Sequence, residues 1–169
     1  MRAPRSELNF TSTISQIEIT MLPIKRIKYI VIHCSGNSAK SKLRAADIRK
    51  FHMKERGFSD IGYHYVIPTD GTIELGRKCN IAGAHVRGYN QYSLGVCYIG
   101  GLDAKGNPAD TRTAAQKKAL KKLIAELHAQ FPHALICGHR DFPNVAKSCP
   151  CFDVQKEFAR DNKDAWYTL

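Results

Sequence analysis

The chain has 169 residues and a formal net charge of +11, with 43% hydrophobic and 24% charged residues. This composition is typical of one soluble domain with its own core, and no apolar run is long enough to span a bilayer. Twelve basic and four acidic residues fall within residues 1–56, which favours an anionic partner such as nucleic acid, a membrane surface or an acidic polymer. Because no basic cluster alternates with aromatic residues, we expect solvated basic faces and no nucleic-acid groove.

Six cysteines stand at positions 34, 79, 97, 137, 149 and 151. Three of them, Cys34, Cys97 and Cys137, lie in or beside apolar runs, where a free thiol packs as a small core residue. Outside small secreted scaffolds, such a set favours reduced thiols together with one metal ligand. We therefore predict that the chain folds in a reducing compartment.

The amino-terminal segment lacks the pattern of a secretion signal. Residues 1–20 contain two arginines but no continuous apolar stretch and no small-residue cleavage site. Met21 is an alternative start. We predict an extension over residues 1–26, one domain over residues 27–169, and synthesis in the cytoplasm.

The first predicted strand covers residues 28–33. Its β-branched and aromatic residues are apolar on both faces, as in a central strand of a covered sheet. His33 therefore stands at the carboxyl end of a strand, where α/β sheets tend to carry their sites. Alternation directs the next side chain, Cys34, to the opposite face and into the core.

A hairpin and a further internal strand follow. Residues 62–67 and 72–74 are predicted strands joined by a turn that contains an Asp-Gly pair. Period-two alternation places Tyr63 and His64 on opposite faces, so that one can face a site while the other is buried. Residues 94–99 form the next predicted strand.

Three helices are predicted. The first covers residues 43–56, and we expect His52 in it to pack its ring beside Phe51. The second begins with a capping box at residues 113–116, and the third is short, over residues 154–160. The apolar stripe of the second helix comprises Leu120, Leu123, Ile124, Leu127 and Phe131.

The segment 138–150 carries the most distinctive chemistry. Its two prolines argue against a helix, so that His139 and Cys149 can converge. Imidazole and thiolate are common zinc donors, and a catalytic zinc needs three protein ligands and one open position. His33 is the best candidate for the third ligand, and Cys151 is a thiolate that competes with Cys149.

Seven motifs occur in collinear order between residues 30 and 153. They are residues 32–35, 60–67, 70–72, 83–90, 93–100, 138–141 and 147–150. This set closely resembles the type 2 N-acetylmuramoyl-L-alanine amidases, a superfamily that includes phage amidase endolysins and peptidoglycan recognition proteins. The phage amidases are the most similar, because they share the Lys-x-Cys-Pro ending.

The resemblance implies a fold and a reaction. The fold is a single α/β domain with a central mixed β-sheet flanked by helices. Zinc is implied to bind His33, His139 and Cys149 and to lower the pKa of a water toward ~7. The resulting hydroxide attacks the amide between the lactyl group of N-acetylmuramic acid and L-alanine of the stem peptide.

The resemblance also implies the remaining site residues and the partner. Tyr63 and Lys147 stabilise the oxyanion of the tetrahedral intermediate, and Tyr63 can relay a proton. His85 and Asn90 line the substrate groove. The expected partner is bacterial peptidoglycan or its muropeptides, with no membrane span and no nucleic acid. We expect a monomer of phage or prophage origin that reaches the wall after release or export.

Two other classes of function stay open at this point. A catalytically silent muropeptide binder would be expected to lack Cys149, Tyr63 or Lys147, all of which are present. A cysteine hydrolase would pair Cys149 or Cys34 with a histidine. A weaker idea, nucleic-acid binding, would require a steep salt dependence.

Overall fold

A computed structural model describes residues 27–169 of the chain. The predicted extension over residues 1–26, including Met21, lies outside the described residues. The strands are β1 (Tyr29–Cys34), β2 (Asn37–Ser38), β3 (Tyr65–Ile67), β4 (Glu74–Leu75), β5 (Ser93–Tyr98), β6 (Gly101–Leu102) and β7 (Leu135–Gly138). The α-helices are α1 (Ala45–Glu55), α2 (Ala114–Gln130) and α3 (Val154–Glu157). Single 3₁₀ turns lie at Asn90–Tyr92, His139–Asp141 and Asp161–Asp164.

Five strands form a mixed sheet in the order β4-β3-β5-β1-β7. All neighbours are parallel except β3 and β4, which form the predicted antiparallel hairpin. His33 at the end of β1 lies opposite Cys97 of β5, and Ile32 lies opposite Gly138 at the end of β7. This register brings His33 beside His139, the residue that follows β7. Strands β2 and β6 form a separate two-stranded sheet.

Both faces of the main sheet are covered, as the apolar strands predict. On one face Ile30 and Ile32 pack with the apolar stripe of α2. On the other face Tyr29 and Val31 pack with Phe142, while α1 packs in a third cluster. Each fully buried isoleucine contributes roughly 1.5–3 kcal/mol relative to exposure. The predicted α/β fold, a mixed sheet flanked by helices, is confirmed.

The capping box predicted at the start of α2 is present and also joins the helix to the sheet. Thr113 Oγ1 accepts a hydrogen bond from the Gln116 N–H at 3.0 Å, and Gln116 Oε1 accepts one from the Thr113 N–H at 2.9 Å. The fully buried Gln116 amide then donates to the carbonyls of Ile67 and Ile99. One side chain therefore caps the helix and satisfies two strand carbonyls.

Arg112, just before α2, forms a buried charged cluster. Its side chain is 2% exposed and donates to Asp110 and Glu157 at 2.8 and 2.9 Å. The guanidinium also lies 3.3 Å from the centroid of the Phe152 ring. This cluster connects the loop before α2 to α3.

Two predicted elements are shorter in the structure. Strand β3 begins at Tyr65, because the residues before it pair irregularly: the Tyr63 and His64 carbonyls accept from Arg77 and Gly76. Strict alternation would place Tyr63 on the same face as Tyr65, but Tyr63 packs against the cluster that contains Val66, whereas Tyr65 belongs to the α2 side. Alternation therefore does not extend to Tyr63. Helix α3 ends at Glu157, and a 3₁₀ turn follows it.

The remaining global features concern membranes and thiols. Among the helices within residues 27–169, none combines the length and apolarity needed to cross a membrane. All six cysteines lie within the described residues, and none of them forms a disulfide there.

Candidate metal centre

A cleft of about 360 Å³ opens where β1 and β7 end. His33, His139 and Cys149 line it together with the side chains of Tyr63 and Lys147. None of the described residues that line this cleft is Asp or Glu. The cleft therefore presents imidazole, thiol, phenol and ammonium groups without a protein carboxylate.

Three of the lining residues offer a set of metal donors. One ligand atom each of His33, His139 and Cys149 lies within 4.8 Å of the others. His33 is almost fully buried, whereas the other two are half-buried. Within residues 27–169, this is the one group of three or more His, Cys, Asp or Glu side chains arranged in this way. The three ligands predicted from the sequence therefore converge, although their metal-binding role stays a prediction.

Backbone hydrogen bonds hold the segments that carry these donors. Asp141 Oδ2 accepts from the Gly138 N–H at 2.7 Å and closes the 3₁₀ turn that presents His139. The Arg140 N–H donates to the Cys149 carbonyl at 2.8 Å. The Cys34 N–H donates to Cys149 Sγ at 3.3 Å. The strand end, the turn and the cysteine loop are thus connected directly to one another.

A hydrogen-bonded chain runs from the buried histidine away from the cleft. His33 Nε2 lies 2.9 Å from His85 Nδ1, and His85 Nε2 lies 3.3 Å from Ser93 Oγ. Ser93 Oγ donates to the Tyr89 carbonyl at 2.9 Å. The His85 ring lies against the backbone of Gly95, where an added Cβ would approach it to 2.8 Å. Glycine at this position thus leaves room for the ring.

The electrostatics of the site favour neutral imidazoles and a protonated phenol. Burial, and then the neighbouring His85, lower the pKa of His33 well below its usual value. Burial, and then Lys147, lower the pKa of His139. Burial is also the largest cause that raises the pKa of Tyr63 well above its usual value. Neutral imidazoles keep a lone pair for a metal, and a protonated phenol can donate a hydrogen bond.

Both predicted catalytic residues line the cleft. The Tyr63 ring centroid lies 5.1 Å from that of His33, and its neighbour His64 is 1% exposed. Tyr63 thus lines the cleft while His64 is buried, and the catalytic role of Tyr63 stays a prediction. Lys147 is exposed on the loop two residues before Cys149.

The predicted substrate-binding residues differ in position. His85 lines the cleft as well as contacting His33. Asn90 lines a separate, smaller depression, and its Oδ1 accepts from the N–H groups of His85 and Val86 at 2.8 and 2.9 Å. In the structure Asn90 holds the loop that carries His85, and a direct contact with substrate stays a prediction.

Two further residues need comment. Cys151 does not belong to the donor group; its Sγ lies 3.7 Å from that of Cys34, and burial raises its pKa to about 11. His52, expected only to pack beside Phe51, lines the cleft and accepts from the Gly62 N–H at 2.9 Å. Its ring lies closer to Tyr63 than to Phe51, with centroid distances of 5.4 and 6.1 Å. The helical position of His52 carried no signal of this role.

The fold and the donor set together define a class of protein. A single α/β domain with two imidazoles and one thiol converging in an open cleft is suited to hold a hydrolytic metal ion, which needs three protein ligands and space for a fourth. A family model described as N-acetylmuramoyl-L-alanine amidase matches residues 23–152. The chain belongs to this family, as its motifs indicate, and it is an amidase that acts on peptidoglycan.

Similar proteins support the same assignment. An endolysin of Klebsiella phage KP32 is 45% identical over 127 residues, covering 75% of this chain and 82% of that protein. The N-acetylmuramoyl-L-alanine amidase LysC from Clostridium intestinale URNW has a TM-score of 0.66 at 28% identity, covering 81% and 86% of the two chains. Drosophila PGRP-LB has a TM-score of 0.66 at 28% identity and covers 85% of each chain.

Proposed function

We propose that the chain is a zinc-dependent peptidoglycan hydrolase that cleaves the amide between the lactyl group of N-acetylmuramic acid and L-alanine of the stem peptide. The observation that carries this proposal is the convergence of His33, His139 and Cys149 within 4.8 Å, in a cleft with room for a substrate. Membership of the amidase family supports the assignment of the bond that is cleaved.

The donor set fits zinc. Two neutral imidazoles and one thiolate are ligands of the borderline-soft type that zinc prefers, and three protein ligands leave a fourth position open. Zinc bound there would supply Lewis acidity and lower the pKa of a coordinated water toward ~7. The carbonyl of the scissile amide would then lie beside Tyr63 and Lys147.

The hydrogen-bonded chain behind His33 supports a particular tautomer. Nδ1 of His33 lies 3.9 Å from Cys149 Sγ and therefore faces the donor group. A neutral His33 that offers Nδ1 to a metal must carry its proton on Nε2, which then donates to His85 Nδ1. His85 in turn must donate from Nε2 to Ser93. His85 thus orients a ligand by accepting its second ring N–H, a position that an oxygen acceptor usually occupies at metal-bound histidines.

Tyr63 and Lys147 supply the groups that the developing oxyanion needs. The Tyr63 phenol stays protonated, so it can donate a hydrogen bond to the oxyanion and relay a proton to the departing amine of L-alanine. The Lys147 ammonium lies at the cleft on an exposed loop and can approach the negative charge. Both groups act on charge that appears only in the transition state, so they raise the rate more than they tighten substrate binding.

The charge of the cleft supports an anionic substrate. Lys147 and Arg56 are the cationic lining residues, and no carboxylate among the described lining residues opposes them. Stem peptides carry free carboxylates, which such a cleft attracts. We propose that His85 contacts the substrate and that Asn90 contributes by holding its loop.

We also propose the setting in which this chemistry operates. We expect a monomer that is made in the cytoplasm and reaches the wall after release or export, and the similarity to a phage endolysin supports action on the cell wall.

One experiment tests the proposed zinc dependence and the proposed reaction together. Metal content of the purified protein is measured alongside release of stem peptides from isolated peptidoglycan, with and without a chelator. We expect one zinc per chain and release that the chelator abolishes and added zinc restores. Protein that is free of zinc yet active, and that loses activity on stoichiometric thiol alkylation, would instead establish a cysteine hydrolase using Cys149 or Cys34.

A further inference from the structure

Two thiols that take no part in the proposed chemistry lie in contact next to the donor group. Cys34 Sγ and Cys151 Sγ are 3.7 Å apart although the residues are 117 positions apart in the chain. Both cysteines are half-buried, so small reagents can reach them. A sulfur–sulfur distance of this size is a van der Waals contact, and a disulfide requires the two sulfurs to approach to about 2.05 Å.

The local backbone provides the space for this pair. Gly101, the first residue of β6, has φ of +105°, and a Cβ added there would lie 2.6 Å from Cys34 Sγ. Cys151 has φ of +68°, and its Sγ lies 3.4 Å from the Gly101 carbonyl. The two sulfurs therefore meet over a glycine that no larger residue can replace without displacing Cys34.

Cys149 also lies close to Cys34, since a hydrogen bond between the two side chains is the largest cause that raises the pKa of Cys34, but Cys149 has further contacts within the donor group. Its Sγ receives the Cys34 N–H at 3.3 Å and faces His33 Nδ1 at 3.9 Å. A metal ion held by Cys149 would withdraw this sulfur from exchange with disulfides. The pairing of Cys34 with Cys151 thus leaves the three metal donors intact.

We propose that Cys34 and Cys151 form a disulfide when the folded protein enters an oxidising compartment, and that this bond fastens the Cys149 loop to the end of β1. Peptidoglycan lies outside the cytoplasmic membrane, and in bacteria with a periplasm that space is oxidising. The place of oxidation therefore rests on the proposed function. The pairing itself does not.

The reaction is thiol–disulfide exchange with a disulfide oxidant. The thiolate of one cysteine attacks the oxidant, forming a mixed disulfide and releasing one thiolate of the reagent. The second cysteine then attacks the protein sulfur of the mixed disulfide, forming the Cys34–Cys151 bond and releasing the second reagent thiolate. Two protein thiols lose two protons and two electrons, and the oxidant is reduced to two thiols.

The bond has a defined mechanical consequence. Cys34 follows the ligand His33, and Cys151 lies two residues after the ligand Cys149. A covalent link between them restricts separation of two segments that must stay together for a metal to be held. It also closes a loop of 117 positions, which removes conformational freedom from the unfolded chain.

The test uses the zinc-loaded full-length protein incubated with excess oxidised glutathione at mildly alkaline pH. Free thiols are then alkylated, and the tryptic peptides are mapped by mass spectrometry. We expect loss of two of the six thiols and a cross-link between the peptide 29–40 and the peptide 148–156. Because Cys149 and Cys151 share the second peptide, fragmentation within it identifies the bonded sulfur.

Two physical readouts accompany the map. We expect the oxidised protein to have a Tm higher by about 5 °C or more. We also expect zinc to dissociate from the oxidised protein about tenfold more slowly in excess chelator. Changes to the groups around metal ligands alter metal affinity by a similar factor. The change in Tm depends on neither zinc nor amidase activity, so it and the cross-link map distinguish failure of this proposal from failure of the proposed function.

Variants separate this pair from the other thiols. Cys151→Ser and Cys34→Ser should each abolish the cross-link, the rise in Tm and the slower zinc release. Cys79→Ser, a half-buried cysteine elsewhere, should leave all three unchanged. A bond between Cys34 and Cys149, glutathione retained on either cysteine, or six unreacted thiols after prolonged oxidation would each overturn the proposal.

Discussion

Two regions of the molecule bury ionisable groups in opposite ways. Around Arg112, a side chain that is 2% exposed is matched by two carboxylates, Asp110 and Glu157, and the hydrogen bond from Arg112 is the largest cause that lowers the pKa of Asp110. Around His33, which is 1% exposed, the neighbours are imidazoles, a thiol and a lysine, and the pKa of His33 falls because of burial.

The difference separates a structural cluster from a functional one. In the first region every buried charge has a counter-charge of the protein, so the cluster is complete and connects segments of the fold. In the second region the imidazoles and the thiol have no carboxylate among the described cleft residues, and one donor atom of each lies within 4.8 Å of the others. Such an arrangement is stabilised by a cation from outside the chain, which is why the second region is the candidate for metal binding.

The largest expected effect comes from removing a donor. Cys149→Ala should lose zinc and reduce stem-peptide release to background, because two imidazoles alone do not complete the site. Cys151→Ala should keep both zinc and activity. Metal analysis and muropeptide chromatography measure the two properties. Full zinc stoichiometry in Cys149→Ala would transfer the ligand role to Cys151.

Breaking the Arg112 cluster should lower the stability of the protein and leave metal binding unchanged. Arg112→Met leaves Asp110 and Glu157 without their partner and should lower the free energy of unfolding by about 3–5 kcal/mol. The exposed Arg160→Met is the matched control and should change it by less than about 0.5 kcal/mol. Urea unfolding monitored by circular dichroism gives both values. If both substitutions lowered the free energy of unfolding equally, the Arg112 cluster would not be the structural cluster that this comparison assumes.

Lys147 should affect rate without affecting the metal. Lys147→Ala should lower kcat by about 100- to 1,000-fold while zinc stays at one per chain, because the lost interaction exists only in the transition state. The control is Lys121→Ala on the exposed face of α2, which should match the wild type. If KM rose and kcat stayed constant, Lys147 would be a substrate-binding residue instead.

The smallest effect is a pH dependence set by a buried histidine next to the cleft. Burial is the largest cause that lowers the pKa of His64 from 6.5 to about 4, and it outweighs the hydrogen bond to the Ile81 carbonyl, which raises the pKa. Above pH 6.5 both folded and unfolded His64 are neutral and stability is unaffected. As the pH falls from 6.5 to 4 the unfolded chain takes up the proton first, so folding loses about 2 kcal/mol by pH 5.

The measurement compares wild type with His64→Asn, which cannot titrate. The difference between their free energies of unfolding should change by this amount between pH 7 and pH 5. A difference that is constant over this range would show that His64 is not the group responsible.

Local patterns predicted much of this molecule. The apolar run of β1, the capping box at Thr113 and the helical stripe of α2 each involve residues close in sequence, whose spacing reflects the period of the element. The three metal-donor candidates were found because residue chemistry narrows the choice and the motif order resembles one family. The start of β3 was misplaced, because the Tyr63 carbonyl accepts from Arg77 beyond the end of β4, and irregular pairing of that kind leaves no periodic signal.

The sequence by itself determined the class of elements, the family and the residue types able to hold zinc. The tertiary structure decided which side chains meet. The parallel register of β1 and β7 brings His33 to His139, the chain of hydrogen bonds through His85 fixes which nitrogen faces Cys149, and the loop after Cys149 carries Cys151 to Cys34. These contacts join residues more than fifty positions apart. Strand register and loop closure set the distances between them, and neither can be predicted from local propensity.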